Sequence, residues 1–314
     1  MGKTAFVFSG QGAQTVGMGK ELAENFACAN RVFDEASDAL GMDMKKLVWE
    51  SDDETLKITE NTQPAILTMS VAALRVLEEK GFMPDVVAGL SLGEYSAHVA
   101  AKSLIFKDAV CLVKKRGKYM QETVPEGIGA MAAIIALDAD KVLESCYEAS
   151  EKGIVECANF NCPGQIVVSG EKAAVEACCE IAKEKGAKRA IVLPVSAPFH
   201  CSMLREAGEK LARELENVEV HDMQIPLVTN VTADYLSDKS QIKKTLIKQV
   251  SSSVRWEESI RRMIADGVDT FVEVGPGKAL CGFIKKIDRN VKAYNAEDMA
   301  SITTAISGLE EKND

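Results

Sequence analysis

Short apolar runs alternate along the chain with longer segments whose apolar positions recur every three or four residues. The first run, residues 4–8, is rich in β-formers and ends in Ser9-Gly10-Gln11-Gly12, so a strand leads into a tight loop. A helical pattern opens at Gln63-Pro64, where proline suits a first helical turn. It continues through Ile66, Met69, Leu74 and Leu77 to Gly81. Residues 85–89 read as a second buried strand, followed at once by Ser91-Leu92-Gly93-Glu94-Tyr95 and a helix of small residues. Further strands are expected over 225–231 and 270–274, the latter before a Gly275-Pro276-Gly277 turn, and a terminal helix over 298–309. Strands alternating with helices imply a parallel α/β sheet.

Residues 127–195 follow a different order. A strand (130–137), a helix (139–152) and a strand (154–160) come first. A Pro163-Gly164 turn, a strand (165–169), a helix (171–185) and a strand (189–195) follow. That β-α-β-β-α-β succession is the ferredoxin-like arrangement. The expected architecture is α/β: a large parallel-sheet, α/β-hydrolase-like domain formed by 1–126 and 196–314, with a small ferredoxin-like domain, 127–195, inserted into it.

Composition narrows the function classes. With 37 Lys plus Arg against 47 Asp plus Glu, the net charge is −10, which argues against broad nucleic-acid binding. No run approaches the roughly 20 apolar residues of a membrane span. The first residues lack the pattern of a signal peptide, and Phe6 breaks that of a myristoylation site, so a cytoplasmic location is expected. The nine cysteines form no CxxC and no zinc spacing with a histidine, so reduced thiols are expected, with no metal. Gly10-Gln11-Gly12 lacks the third glycine of a dinucleotide fingerprint, and Met18 stands where a P-loop needs lysine. No nucleotide cofactor is expected.

Gly89-Leu90-Ser91-Leu92-Gly93 is a GxSxG sequence between an expected strand and an expected helix. Glycines there allow a sharp turn that projects the serine hydroxyl, with helix N-terminal amides behind it to hold developing negative charge. Ser91 is thus the candidate nucleophile and the Leu92 N–H a candidate oxyanion donor; a merely structural tight turn is the plainer alternative. A serine needs a base. His98 lies two helical turns beyond Ser91, and His221 sits in a charged stretch. His200, in a Pro-punctuated loop, is left by elimination, against the alternative of a capping or surface imidazole. Arg116 completes the apolar stripe 109, 112, 113, 117 and 120 of an expected helix, while Lys114, Lys115 and Lys118 fall off it. A guanidinium on an inward face meets either an internal carboxylate or a substrate anion.

Together these features resemble the malonyl-CoA:acyl-carrier-protein transacylases and related acyltransferase domains of fatty-acid and polyketide synthases. The resemblance runs nearly end to end. It includes residues 8–14, Gln63-Pro64, residues 89–95, Arg116, residues 159–165, residues 196–200, Gln249 and Glu273-Val274-Gly275-Pro276-Gly277. It implies that Ser91 is acylated with His200 as its base, and that Gln11 helps the Leu92 N–H hold the oxyanion. By the same resemblance, Arg116 binds the malonyl carboxylate and Gln249 orients His200 through its main-chain carbonyl. Asn161 lines the cleft. Leu90 departs from the histidine often found before the nucleophile, which removes a rival base. Phe199 stands at a position linked to acyl choice, where an aromatic favours malonyl.

The implied activity is malonyl transfer from malonyl-CoA to the phosphopantetheine thiol of acyl carrier protein by a monomeric, soluble enzyme with no bound cofactor, feeding fatty-acid biosynthesis. The alternatives are a serine thioesterase or esterase, an acyltransferase for another CoA-linked unit in polyketide synthesis, and an inactive scaffold. Both proposed partners are anionic, so Lys114, Lys115, Lys118, Lys183, Lys185, Lys188 and Arg189 are expected to form basic patches near the cleft of an otherwise acidic body.

Overall fold

The structure, a computed structural model, describes residues 2–125, 127–195 and 197–313. The expected junctions of the insert, and Ser196 ahead of His200, involve positions 126 and 196, outside the described residues. In chain order the strands are β1 (Lys3–Phe8), β2 (Val86–Gly89), β3 (Gly129–Ile135), β4 (Val155–Cys162) and β5 (Gln165–Glu171). They continue with β6 (Arg189–Val192), β7 (Leu227–Val228), β8 (Val268–Val274) and β9 (Lys292–Ala296).

One sheet has the order β7-β2-β1-β8-β9 and is parallel throughout. Its central strand, β1, pairs Phe8 with Gly89 on one side and with Val274 on the other. Both faces of β1 are covered, which is why it reads as an unbroken apolar run. Phe6 and Phe8 pack in the cluster that holds Ile66, Met69 and Val113, whereas Ala5 and Val7 join Trp256, Ile260 and Ile284. The carboxyl ends of β1, β2, β7 and β8 share one edge, where ligands collect in open α/β sheets.

The second sheet, in the order β4-β5-β3-β6, is antiparallel and has its own core of Ala132, Ile134, Val142, Val168, Val175 and Cys178. Relative to chain order that is the ferredoxin-like arrangement. Its β4 edge is laced to the segment ahead of the Trp256–Ala265 helix: Phe160 N–H donates to Val254 O (2.9 Å) and Val254 N–H to Ala158 O (2.8 Å).

Local departures from expectation have local causes. The Gln63-Pro64 helix begins earlier, running Thr59–Glu79, so Pro64 lies in its second turn rather than its first. Proline there withholds one N–H from the Glu60 carbonyl and the helix continues past it. The strand expected over 225–231 shrinks to Leu227–Val228, between Pro226 and a turn in which Ala233 has φ 54°. The 189–195 strand stops at Val192, before Pro194. β9 was not anticipated: its Lys-Ala-Tyr-Asn-Ala sequence is half-exposed at the sheet edge and carries no strong alternation. No described helix is long and apolar enough to cross a membrane.

Candidate active site

β2 ends at Gly89 and the Gly93–Ala100 helix begins four residues later, so the chain reverses within one tight turn. Both glycines are required by contact. A Cβ on Gly89 would fall 1.9 Å from the Gly93 carbonyl carbon, and one on Gly93 would fall 2.1 Å from Phe8 O. Ser91 sits between them with φ 54°, a left-handed conformation costing roughly 1–3 kcal/mol for a residue with a side chain. This places its Oγ at the sheet's carboxyl edge, and Leu92 at the N-cap of the following helix, where an N–H has no intrahelical acceptor.

His200 reaches this hydroxyl from 109 residues away: its Nε2 lies 2.6 Å from Ser91 Oγ. Its Nδ1 lies 2.9 Å from the main-chain carbonyl of Gln249, which can only accept, so the proton sits on Nδ1 and the Nε2 lone pair faces the serine. His200 is 3% exposed and also holds a positive φ, 60°. Burial, with the Arg116 charge adding to it, lowers its pKa to about 4 against the Gln249 bond, leaving a neutral base at neutral pH. The other two histidines are elsewhere. His98 is buried against Ser103 Oγ at 2.8 Å, and His221 lies on the surface beside Glu219.

Arg116 lies on the Phe106–Thr123 helix at 1% exposure and meets neutral acceptors only. Its Nη1 donates to Gln63 Oε1 (2.9 Å); its Nη2 donates to Gln249 Oε1 (3.1 Å) and Ser91 Oγ (3.2 Å). Its Nε has no partner among the described residues, and the guanidinium stands 5.5 Å from the centre of the Tyr95 ring. Of the two readings of an inward arginine, the internal ion pair is absent among the described residues. Glu94, the buried acid in this region, spends Oε2 on Asn230 N–H (2.8 Å) and Gln249 Nε2 (3.0 Å). Burial pushes the Glu94 carboxyl up to about 7 against those bonds and the Arg116 charge. A buried cation left without a carboxylate, one bond from the nucleophile, is a seat for an incoming anion.

This arrangement can transfer an acyl group: an activated hydroxyl, a neutral base in a fixed tautomer, amides at a helix start and an anion anchor. Residues 5–311 match the model of the acyl transferase domain. The chain belongs to that family. The acyltransferase is 50% identical to the malonyl CoA-acyl carrier protein transacylase of Bacillus subtilis (strain 168), covering 100% of this chain and 99% of the relative. A malonyl CoA-acyl carrier protein transacylase from Clostridium perfringens superposes with a TM-score of 0.96 at 48% identity, covering 99% and 98% of the two chains. A malonyl-transacylase solved in complex with a type II polyketide acyl-carrier protein superposes at 0.95 with 44% identity, covering 98% and 99%.

The acyltransferase thus brings Ser91, Leu92, His200, Arg116 and Gln249 together. Gln11 is near them, but its side chain is tied to Thr59 Oγ1 and Gln63 at 3.4 Å each. Asn161 is buried on β4; it makes no hydrogen bond to Ser91, His200 or Arg116, and its Oδ1 has no partner among the described residues. The expected basic patches are largely neutralised. Lys114, Lys115 and Lys118 pair with Glu60, Glu214 and Glu122; Lys183 pairs with Glu180, and Lys185 with Glu144 and Glu148. Surface cations are cheap to pair with the chain's excess of carboxylates, and among the described residues Lys188 and Arg189 are the members of the expected set with no ion pair within 4.0 Å.

Sequence reasoning missed Gln63, Glu94 and Asn230 as parts of the site. Glu94 offered a signal: a carboxylate in the first turn of a helix of otherwise small, buried residues has to find partners.

Proposed function

We propose that this acyltransferase moves a malonyl group from malonyl-CoA to the phosphopantetheine thiol of acyl carrier protein, through a malonyl ester on Ser91. The observation that carries the choice of acyl group is the Arg116 guanidinium, buried, without a carboxylate partner among the described residues and 3.2 Å from the nucleophile. The names borne by relatives along the full chain length support the donor and the acceptor.

His200 Nε2 takes the Ser91 Oγ proton as the oxygen attacks the thioester carbon. Charge passes to the carbonyl oxygen, which the Leu92 N–H at the helix start holds, with Gln11 assisting as the family resemblance implies. When the tetrahedral intermediate collapses, the C–S bond breaks and the imidazolium returns its proton to the CoA sulfur. In the second half the carrier thiol gives its proton to His200 and attacks the ester, and Ser91 recovers its hydrogen. Arg116 binds the distal carboxylate throughout, holding the acyl carbonyl over the serine. The pathway we assign is fatty-acid synthesis, in the cytoplasm.

Transfer is separated from hydrolysis by following malonyl-CoA with and without holo-acyl carrier protein. The proposal expects malonyl-carrier protein to form at turnover rates, and little free malonate when the carrier is left out. Free malonate released as fast without the carrier would make the protein a thioesterase.

A further inference from the structure

Beyond the dyad and the arginine, we infer that Asn230 is a positioning residue of the nucleophile, its side-chain amide acting as a surrogate strand residue that locks the Ser91 turn. The inference rests on Ser91 being the residue acylated.

The geometry begins at β7. This two-residue strand pairs Leu227 with Val87 and Val228 with Ala88, then the backbone turns away through Thr229, where Ala233 N–H closes back on Thr229 O (3.0 Å). The parallel ladder beside β2 would end there, just short of the nucleophile. Asn230 continues it with its side chain: Nδ2 donates to Gly89 O (2.7 Å) and Oδ1 accepts from Ser91 N–H (2.6 Å). Those two groups flank Leu90, and a neighbouring strand residue facing Leu90 in a parallel ladder would bond the same two groups. The amide therefore holds both sides of the peptide segment that enters the left-handed Ser91.

Asn230 is itself over-determined. It is fully buried, its backbone N–H donates to Glu94 Oε2 (2.8 Å), and its carbonyl accepts from Arg255 N–H (3.0 Å). Glu94 Oε2 also accepts from Gln249 Nε2, which reaches Ser91 O at 3.0 Å as well. One buried carboxylate thus ties together the amide that sets the serine and the glutamine whose carbonyl sets the histidine. A left-handed serine persists only where its surroundings enforce it, and these bonds are the enforcement. A misplacement of the hydroxyl by about 1 Å costs on the order of a hundredfold in rate.

The test reads Ser91 directly with a fluorophosphonate probe, whose reaction depends on the nucleophile and not on any acyl donor, alongside malonyl-adduct formation from malonyl-CoA. Wild-type labelling without a malonyl adduct would fault the proposed substrate and leave the Asn230 inference standing. In Asn230→Ala the labelling rate is expected to fall roughly ten- to hundredfold, with the KM for malonyl-CoA within about twofold of wild type. In Asn230→Asp the ionised carboxylate keeps the acceptor and loses the donor. Burial beside Glu94 favours its neutral form, whose O–H restores the bond to Gly89 O. Labelling by Asn230→Asp, taken relative to wild type, should therefore recover as pH falls below neutrality, which a general loss of packing would not produce. Asn230→Ala labelling within twofold of wild type overturns the inference. So does an Asn230→Asp ratio that stays well below one at every pH, whereas a ratio near one reports the neutral carboxyl keeping both bonds; this decides the matter even if the alanine variant does not fold.

Discussion

Replacing Arg116 by alanine separates the chemistry of the acyl carboxylate from the chemistry of the thioester. In the free protein Arg116 is 1% exposed and its guanidinium bonds three neutral oxygens, on Gln63, Gln249 and Ser91, while its Nε has no partner among the described residues. A malonyl donor would gain charge-assisted bonds to it, each worth about 1.5–3 kcal/mol. Losing one such bond slows malonyl transfer by about ten- to a hundredfold, and losing a two-pronged fork multiplies the effect. Acetyl has no carboxylate to lose. For acetyl the same change only removes a cation 3.2 Å from Ser91 Oγ that also holds down the His200 pKa, so its transfer should stay level or rise. The fold should survive, because removing an unpaired buried charge relieves a desolvation penalty as it breaks hydrogen bonds. The assay compares kcat/KM for malonyl-CoA and acetyl-CoA with acyl carrier protein as acceptor, in wild type and Arg116→Ala. A fall in the malonyl-to-acetyl ratio of tenfold or more is expected. Equal losses for both donors would mean that Arg116 only supports the structure.

The pH profile of kcat/KM should show its acid limb near the lowered His200 value of about 4 rather than near 6.5: the base works when neutral, so activity falls as pH drops through that value. An acid limb near 6.5 would contradict a desolvated base. The same shift makes stability fall as pH drops between about 6.5 and 4, because the unfolded chain takes up the proton first. The loss from His200 is roughly 3 kcal/mol and should appear in chemical denaturation across that window. Gly93→Ala sets a Cβ 2.1 Å from Phe8 O, backbone that cannot yield cheaply, and should cost about 3 kcal/mol or more together with Ser91 labelling. A variant as stable and reactive as wild type would refute the need for glycine there.

The parts of the site legible in the sequence were those with a local pattern. Ser91 lies within five residues whose spacing encodes the turn, and Arg116 was conspicuous because a charge interrupted an apolar stripe. His200 followed from there being three histidines to choose from, and Gln249 came only through family resemblance. The network around them had no local signature. Asn230 meets Ser91 across 139 residues, and Gln63 meets Arg116 across 53. The lysines showed the same limit in reverse: their positions were plain, but Lys115 is neutralised by Glu214, 99 residues on. In the fold, strongly apolar β1, β2 and β8 were readable, whereas the edge strand β9 was not, because a half-exposed strand needs no clean alternation. β7 was overextended because the turn that truncates it also delivers Asn230.

The central claim is that Ser91 carries the acyl group. Intact-mass analysis after brief incubation with malonyl-CoA, without acyl carrier protein, tests it most directly. One malonyl adduct should form on the wild-type chain, map to Ser91, disappear when holo-acyl carrier protein is added, and be absent from Ser91→Ala. No adduct on the wild type, or an adduct that persists in Ser91→Ala, would contradict the account.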